Sequence, residues 1–199
     1  MSYETFNRFL QQLHAHGREK GDGFDHSHFQ GLSADERVEA ARLLREALLS
    51  GDDTAAEGLV LLDSAAAREP LEEAIQTSGK SPLYTLTLAE VLWKLTGESR
   101  YQDIMIDLLQ HHDHSIRWRA LGGLETTPHN DRLMAEIKNL VINDPDDNIR
   151  YRAAKHLLYG LGLIPKFQDV AAPYKQILLN LSDENKEIRK KALSELDGK

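Results

Sequence analysis

Nine histidines give this chain its clearest potential for metal chemistry, because imidazole is a common ligand of zinc and iron. They are His14, His16, His26, His28, His111, His112, His114, His129 and His156. Two runs concentrate them, Asp25-His26-Ser27-His28 and His111-His112-Asp113-His114. A zinc or iron site needs several ligands at fixed geometry, and the chain has no His-Glu-x-x-His motif and no His-Glu dipeptide. We therefore expect solvated loop histidines and no metal site, while metal binding by the run at 25–28 or at 111–114 stays an open alternative.

Motifs for covalent or phosphate-handling catalysis are missing from the sequence. There is no cysteine, which excludes a thiolate nucleophile, a disulfide scaffold and a Cys-ligated metal. No G-x-S-x-G, Walker A or G-x-G-x-x-G pattern occurs. Carboxylates are abundant, but they fall in turns and on helix faces expected to be solvated. We predict a non-enzymatic protein with no catalytic residue and no cofactor.

Charge and hydropathy restrict the partners and the compartment. The 199 residues hold 24 Lys and Arg against 32 Asp and Glu, a formal net charge of −8. Nucleic-acid binding is disfavoured, because phosphate contacts need a basic surface. The N-terminus lacks an apolar run of signal-peptide length, and no stretch approaches the roughly 18 apolar residues of a membrane span. We expect a soluble, cytoplasmic protein that does not contact a membrane.

Helical periodicity dominates the chain. Apolar residues at 6, 9, 10 and 13 share one helix face, and Ser33 with Glu36 forms a capping box before the next apolar stripe. The segment at 17–31 holds four glycines and is predicted to be a loop. Only the stretch at 83–87 alternates like a strand, and it continues into a helical pattern. The fold class predicted is all-α.

An internal repeat organises the second half of the sequence. The segments SIRWRALGGL at 115–124, NIRYRAAKHL at 148–157 and EIRKKALSEL at 187–196 align without gaps, with their Ile-Arg pairs spaced by 33 and 39 residues. Each follows an acidic turn, and each turn follows another amphipathic helix. The unit is thus a helix A, an acidic turn and a helix B, with two degenerate copies before it.

This pattern resembles HEAT and HEAT-like repeats, well in the last three units and weakly in the first two. The resemblance implies a right-handed α-solenoid of about five helical hairpins with an extra N-terminal helix. The corresponding boundaries are a helix and His/Gly-rich loop at 1–32, then one domain at 33–199 with units at 33–67, 68–98, 99–129, 130–163 and 164–199. An ordinary helical bundle is the alternative.

The arginine of the repeated Ile-Arg pair is predicted to be structural. At about 100° per residue, Arg117, Arg150 and Arg189 fall inside the apolar arc of helix B, where an unpaired charge is costly. The available partners are carboxylates of the turns, Asp113, Asp146, Asp147, Asp183 and Glu184. An inter-repeat Asp–Arg series is common in HEAT-like families, so the resemblance implies the same role here.

The opposite arc of helix B carries residue types that are enriched at binding hot spots. The row predicted to bind a partner consists of Trp93, Trp118, Arg119, Tyr151, Arg152, Lys155 and Tyr159. In a solenoid these positions line up on the concave face. The alternative, of similar weight, is that the aromatic side chains pack against the next repeat.

Together these features favour a protein-binding module that holds a partner protein on its concave face. Small acidic solenoids of this kind resemble proteins that neutralise bacterial toxins (immunity-type proteins), and an acidic inhibitor suits a basic toxin. Two alternatives share the scaffold: a HEAT-like DNA-repair glycosylase or metal-dependent enzyme, and an assembly or scaffold factor. HEAT-like hydroxylases hold iron with repeated His-Glu pairs, which this chain lacks.

Overall fold

The fold of residues 2–77, 81–165, 170 and 174–197 is described by a computed structural model. These residues form helices and no strand, which confirms the all-α prediction. None of the helices in these ranges is long and apolar enough to cross a membrane. The α-helices are α1 (Ser2–Leu13), α2 (Gly17–Gly21), α3 (Ala34–Ser50), α4 (Thr54–Leu62), α5 (Arg68–Gln76), α6 (Pro82–Thr96), α7 (Ser99–Asp107), α8 (His114–Leu124), α9 (Asp131–Asn143), α10 (Asp147–Gly160), α11 (Tyr174–Ser182) and α12 (Lys186–Asp197), with short 3-10 helices at His26–His28 and Leu108–Gln110.

Polar side chains start several of these helices, as their sequences predict. Ser33 and Glu36 form the expected capping box at the start of α3. Ser81 caps α6, which has Pro82 in its first turn, so the alternating stretch at 83–87 is helical. Asp113 caps α8 and Asp146 caps α10. Acidic turns therefore serve as helix starts, a role that stabilises a helix by about 1 kcal/mol per cap.

The chain divides into two compact units, Met1–Gln102 and Asp103–Lys199. In the first, α3 packs on α4 and α5, and α6 packs on α4 and α5. The core of this unit includes Leu44, Leu48, Leu71 and Leu88, all with no exposed surface. Each such leucine contributes roughly 1.5–3 kcal/mol when buried.

The segment predicted to be a loop at 17–31 contains helical turns and part of the core. Phe24 and Phe29 are buried, and both rings lie within 5.8 Å of the Phe9 ring of α1. Lys20 forms an ion pair with Asp52 and donates to the Leu13 carbonyl at 3.1 Å. The prediction of a loop, which rested on the four glycines, is therefore wrong for these helical turns. Burial of aromatic side chains can order a segment even where its intrinsic helix propensity is low.

An ionic cluster ties α5 to α7 within the first unit. Arg68 and Arg100 both contact Glu72, at 2.7 and 2.6 Å. Tyr101 is 2% exposed, and its hydroxyl donates to the same carboxylate at 2.7 Å. Burial first, and then this hydrogen bond, raises the pKa of Tyr101 to about 12. The hydrogen bonds from Tyr101 and Arg68 lower the pKa of Glu72, so this carboxylate stays ionised in the folded protein.

In the second unit, α9 packs on α10, α10 on α11, and α12 on both α9 and α11. Its core includes Leu121 of α8, Ile137 of α9, Leu157 of α10 and Leu181 of α11, all fully buried. α8 also contacts α10. This packing places the outward side chains of α8 beside those of α10, and most of the partner-binding row predicted from the sequence lies on these two helices.

Candidate functional site

The three repeated arginines make the same contact with the backbone that precedes them. Arg117, Arg150 and Arg189 are 7%, 6% and 6% exposed. In each, Nη1 donates to the carbonyl oxygens five and six residues earlier. Arg117 binds those of His111 and His112 at 2.9 Å, Arg150 binds those of Asp144 and Pro145 at 3.0 Å, and Arg189 binds those of Asp183 and Glu184. Each arginine therefore caps the turn that leads into its own helix B.

Only Arg117 has a carboxylate partner among the described side chains. Its Nε and Nη2 donate to the two oxygens of Asp144 at 2.7 and 2.9 Å, and Asp144 is 5% exposed. These hydrogen bonds raise the pKa of Arg117. Arg189 instead donates through Nη2 to the Ile142 carbonyl at 2.8 Å. Burial, and next the charge of Arg150, lowers the pKa of Arg189.

Four of the five turn carboxylates predicted as partners of these arginines accept hydrogen bonds from backbone amides instead. Asp113 accepts from Ser115 at 2.8 Å, and this bond lowers the pKa of Asp113. Asp146 accepts from Asn148 and Ile149 at 2.9 and 3.1 Å. Asp147 accepts from Asn148 at 2.9 Å, and Asp183 from Asn185 at 2.7 Å. The predicted partners include Asp146 and Asp147 but not Asp144, the one acid of the turn at 144–147 with a buried side chain.

Six residues of the predicted row lie together in the second unit, and we call them the Trp118 surface: Trp118, Arg119, Tyr151, Arg152, Lys155 and Tyr159. Trp118 is 42% exposed on α8, and Tyr151 is 44% exposed on α10. Trp93, the seventh predicted residue, is half-buried on α6 and belongs to the first unit. Trp93 is therefore not counted as part of the Trp118 surface.

Arg152 holds the indole of Trp118 from one side. Its guanidinium carbon lies 4.4 Å from the centre of the Trp118 ring, and its Nη1 donates to the Trp118 carbonyl at 3.1 Å. Its Nε donates to Glu125 at 2.7 Å. A cation over an indole contributes about 0.5–1 kcal/mol at an exposed site. Arg152 therefore positions Trp118, a role that was not predicted from the sequence, which indicated Arg152 as a partner-binding residue.

Gly122 makes room for this stack in the middle of α8. A Cβ atom at this position would lie 2.9 Å from Nη2 of Arg152. Glycine is otherwise unfavourable inside a helix by about 1 kcal/mol relative to alanine. A larger residue at this position would require the end of the Arg152 side chain to shift.

Two cavities open beside Trp118, which lines both. The first has a volume of about 260 Å³ and is lined by Trp118, Glu125, Tyr151, Arg152, Lys155, His156, Tyr159, Ile164 and Pro165. The second, of about 470 Å³, is lined by His114, Ser115, Trp118, Arg119, Asp146, Asn148 and Ile149. The first is smaller than the roughly 300–1,000 Å³ of typical small-molecule sites, so it suits a single side chain better than a cofactor.

His156, one of the residues that line the first cavity, packs against His129. His129 lies 4.9 Å from His156 and 5.1 Å from Tyr159, measured between ring centres. His156 is 3% exposed, so the expectation that it is a solvated loop residue is wrong. Its place on the apolar side of α10, between Ala153 and Leu157, is the sequence signal that was missed.

The histidine runs that invited a metal hypothesis are engaged in local contacts. His28 completes a capping box with Asp25, whose pKa is lowered chiefly by hydrogen bonds from Ser27. The rings of His111 and His112 lie 4.2 Å apart. Across the described residues, no group of three or more His, Cys, Asp or Glu side chains is arranged to hold a metal ion.

The Trp118 surface thus combines two exposed aromatic rings, a small cavity and cationic side chains. Such a surface can hold an apolar side chain against the rings and form charge-assisted hydrogen bonds at its border. Glu125, Gly122, Ile164 and Pro165 belong to this region and were not predicted from the sequence. Comparison of the chain with protein-family models, with curated proteins and with solved structures finds no match.

Proposed function

We propose that this chain is a protein-binding module and that the Trp118 surface is its contact with the partner. The observation that carries the proposal is that Trp118 and Tyr151, each more than 40% exposed, line one cavity. Trp, Tyr and Arg dominate binding hot spots, because large rigid side chains bury much area at a small entropic cost. The stack of Arg152 on Trp118 orders the indole in advance, which lowers the entropic cost of binding.

The scaffold that we propose is a set of HEAT-like hairpins forming a right-handed α-solenoid with the partner on its concave face. Two observations within residues 103–199 support it. The pairs α9 with α10 and α11 with α12, which correspond to the last two repeat units, pack against each other. The arginine of each Ile-Arg pair also binds the preceding turn in the same way in all three copies.

Site-specific photo-crosslinking tests the proposal. A benzoylphenylalanine replacing Tyr151 is expected to capture a discrete protein from cells that naturally contain this chain. The same probe replacing Leu179, which is 50% exposed on α11, is the matched control. Adding Trp118→Ala is expected to weaken partner binding by more than about 2 kcal/mol, roughly thirtyfold, and so to abolish the crosslink. Equal capture at both positions, or capture that survives Trp118→Ala, would contradict the proposed site.

The identity of the captured protein also decides whether this chain neutralises a toxin or acts as an assembly factor. Neutralisation of a toxin is the narrower form that we propose, on the basis of small size and net acidity. It requires the captured protein to arrest growth when expressed alone and to become harmless when this chain is co-expressed. An assembly factor requires a captured protein that is harmless by itself but fails to reach its complex when this chain is absent.

A further inference from the structure

In both cavities beside Trp118 the acidic side chain has a hydrogen-bond partner within the protein, whereas one basic side chain has none among the described residues. Each cavity has one acid, and both acids are already bonded: Glu125 accepts from Arg152 at 2.7 Å, and Asp146 accepts from two backbone amides. The cations differ. Lys155 in the first cavity and Arg119 in the second form no hydrogen bond or ion pair within the part of the chain that the structure describes. The Trp118 surface therefore offers positive charge that the protein itself leaves uncompensated.

This local excess stands out against the charge of the whole chain. Residues 1–102 carry 17 acidic and 10 basic side chains, whereas residues 103–199 carry 15 and 14. The second unit is thus almost neutral, and two of its cations without a described partner, Lys155 and Arg119, border the exposed aromatic pair. A nucleic acid needs a broad basic surface, since its affinity comes from several neutralised phosphates. Two cations beside two aromatic rings suit a shorter ligand with one or two carboxylates.

We propose that the Trp118 surface binds an acidic segment of the partner that also carries an aromatic side chain. This inference rests on the proposed function and specifies the chemistry of the one segment that contacts the Trp118 surface, not the net charge of the whole partner. An aromatic side chain of the segment occupies the first cavity, between Trp118 and Tyr151. Carboxylates on either side of it accept hydrogen bonds from Lys155 and Arg119. The unbonded hydroxyl of Tyr151, which has no partner among the described residues, is a further donor at the rim.

Binding of designed peptides tests this chemistry. The probe is a capped, fluorescein-labelled peptide that alternates Glu with Phe, titrated with the full chain and followed by anisotropy. The comparison peptides replace Glu by Gln, Glu by Lys, or Phe by Ala. We expect the Glu/Phe peptide to bind most tightly. The double variant Arg119→Gln/Lys155→Gln is expected to bind it roughly tenfold more weakly, because two exposed charge contacts are lost.

A matched double variant controls for net charge. Lys175→Gln/Lys191→Gln removes two exposed cations from α11 and α12 that line neither cavity, and it should change affinity by less than about twofold. Circular dichroism confirms that both variants are folded. Equal loss in the two double variants would show general charge attraction and overturn the inference.

The remaining outcomes separate this inference from the proposed function. Equal or tighter binding of the Gln or Lys peptide would overturn the inference that the bound segment is acidic. The proposed protein-binding function would still be tested by crosslinking through position 151. Absence of binding by every peptide overturns the inference in the same way. Binding of a single-stranded oligonucleotide that Arg119→Gln/Lys155→Gln abolishes would overturn both.

Discussion

At the scale of single residues, identical motifs acquire different partners. The Ile-Arg pair occurs at 116–117, 149–150 and 188–189, and each arginine binds the turn before it. Within the part of the chain that the structure describes, Arg117 is the only one of the three that also forms a buried, bidentate pair, with Asp144. Buried pairs of this kind are costly to break, because removal of one charge leaves the other desolvated and uncompensated. Among the described ion pairs of the second unit, that of Arg117 and Asp144 is the most deeply buried, so we expect it to be the most sensitive to substitution.

Replacement of Asp144 by asparagine should destabilise the protein strongly. Asp144→Asn keeps the shape of the side chain but leaves Arg117 charged and buried, so we expect the free energy of unfolding to fall by about 3 kcal/mol. Urea denaturation followed by circular dichroism measures it. The control is Arg132→Gln, which breaks exposed pairs with Asp103 and Asp107 and should cost less than about 1 kcal/mol. Similar decreases in the free energy of unfolding of the two variants would show that burial does not make the pair of Asp144 and Arg117 more costly to break than an exposed pair.

At the scale of elements, close packing decides where the N-terminal segment lies. Phe24 sits against α4 because position 58 of that helix has no side chain. A Cβ atom on Gly58 would approach Leu44 at 2.8 Å and Phe24 at 2.9 Å. The glycine of α4 and the phenylalanine that follows α2 are thus complementary parts of one contact. That contact packs the segment at 17–31 into the core of the first unit.

An alanine at position 58 should loosen this contact. Gly58→Ala gains helix propensity, but it forces Phe24 or Leu44 to shift, so we expect a net loss of about 1–3 kcal/mol in the free energy of unfolding. Thermal and urea denaturation give the value. Gly21→Ala is the control, because no atom lies within 4 Å of the position of its Cβ, and it should be neutral or slightly stabilising. A stable Gly58→Ala variant with an unchanged proteolysis pattern at 17–31 would refute the packing argument.

At the scale of the whole molecule, charge is distributed unevenly between the two units. Residues 1–102 hold seven more acids than bases, and residues 103–199 hold one more. Excess charge of one sign destabilises a compact state through self-repulsion, and salt screens that repulsion. Each unit also contains one of the two tryptophans, Trp93 in the first and Trp118 in the second. Fluorescence can therefore report on each unit separately.

Salt should stabilise the first unit more than the second. In Trp118→Phe the fluorescence comes from Trp93 alone, and in Trp93→Phe it comes from Trp118 alone. As the ionic strength rises from about 0.01 to 0.15 M, the Debye length shortens from roughly 30 to 8 Å. We expect the urea midpoint reported by Trp93 to increase more than the midpoint reported by Trp118. Equal shifts would argue that the charge excess of residues 1–102 does not control their stability.

The sequence by itself determined the helical class, several helix starts and the helix faces on which Trp118 and Tyr151 lie exposed. These features depend on local periodicity and capping, which a stretch of ten to fifteen residues contains in full. Tertiary structure alone decided that Asp144 is the partner of Arg117, that Arg152 stacks on Trp118 over Gly122, and that the glycine-rich segment at 17–31 joins the core. Each of these depends on atoms about 25 or more residues apart in sequence, or on the space that a neighbouring helix leaves, and local periodicity contains no information about either.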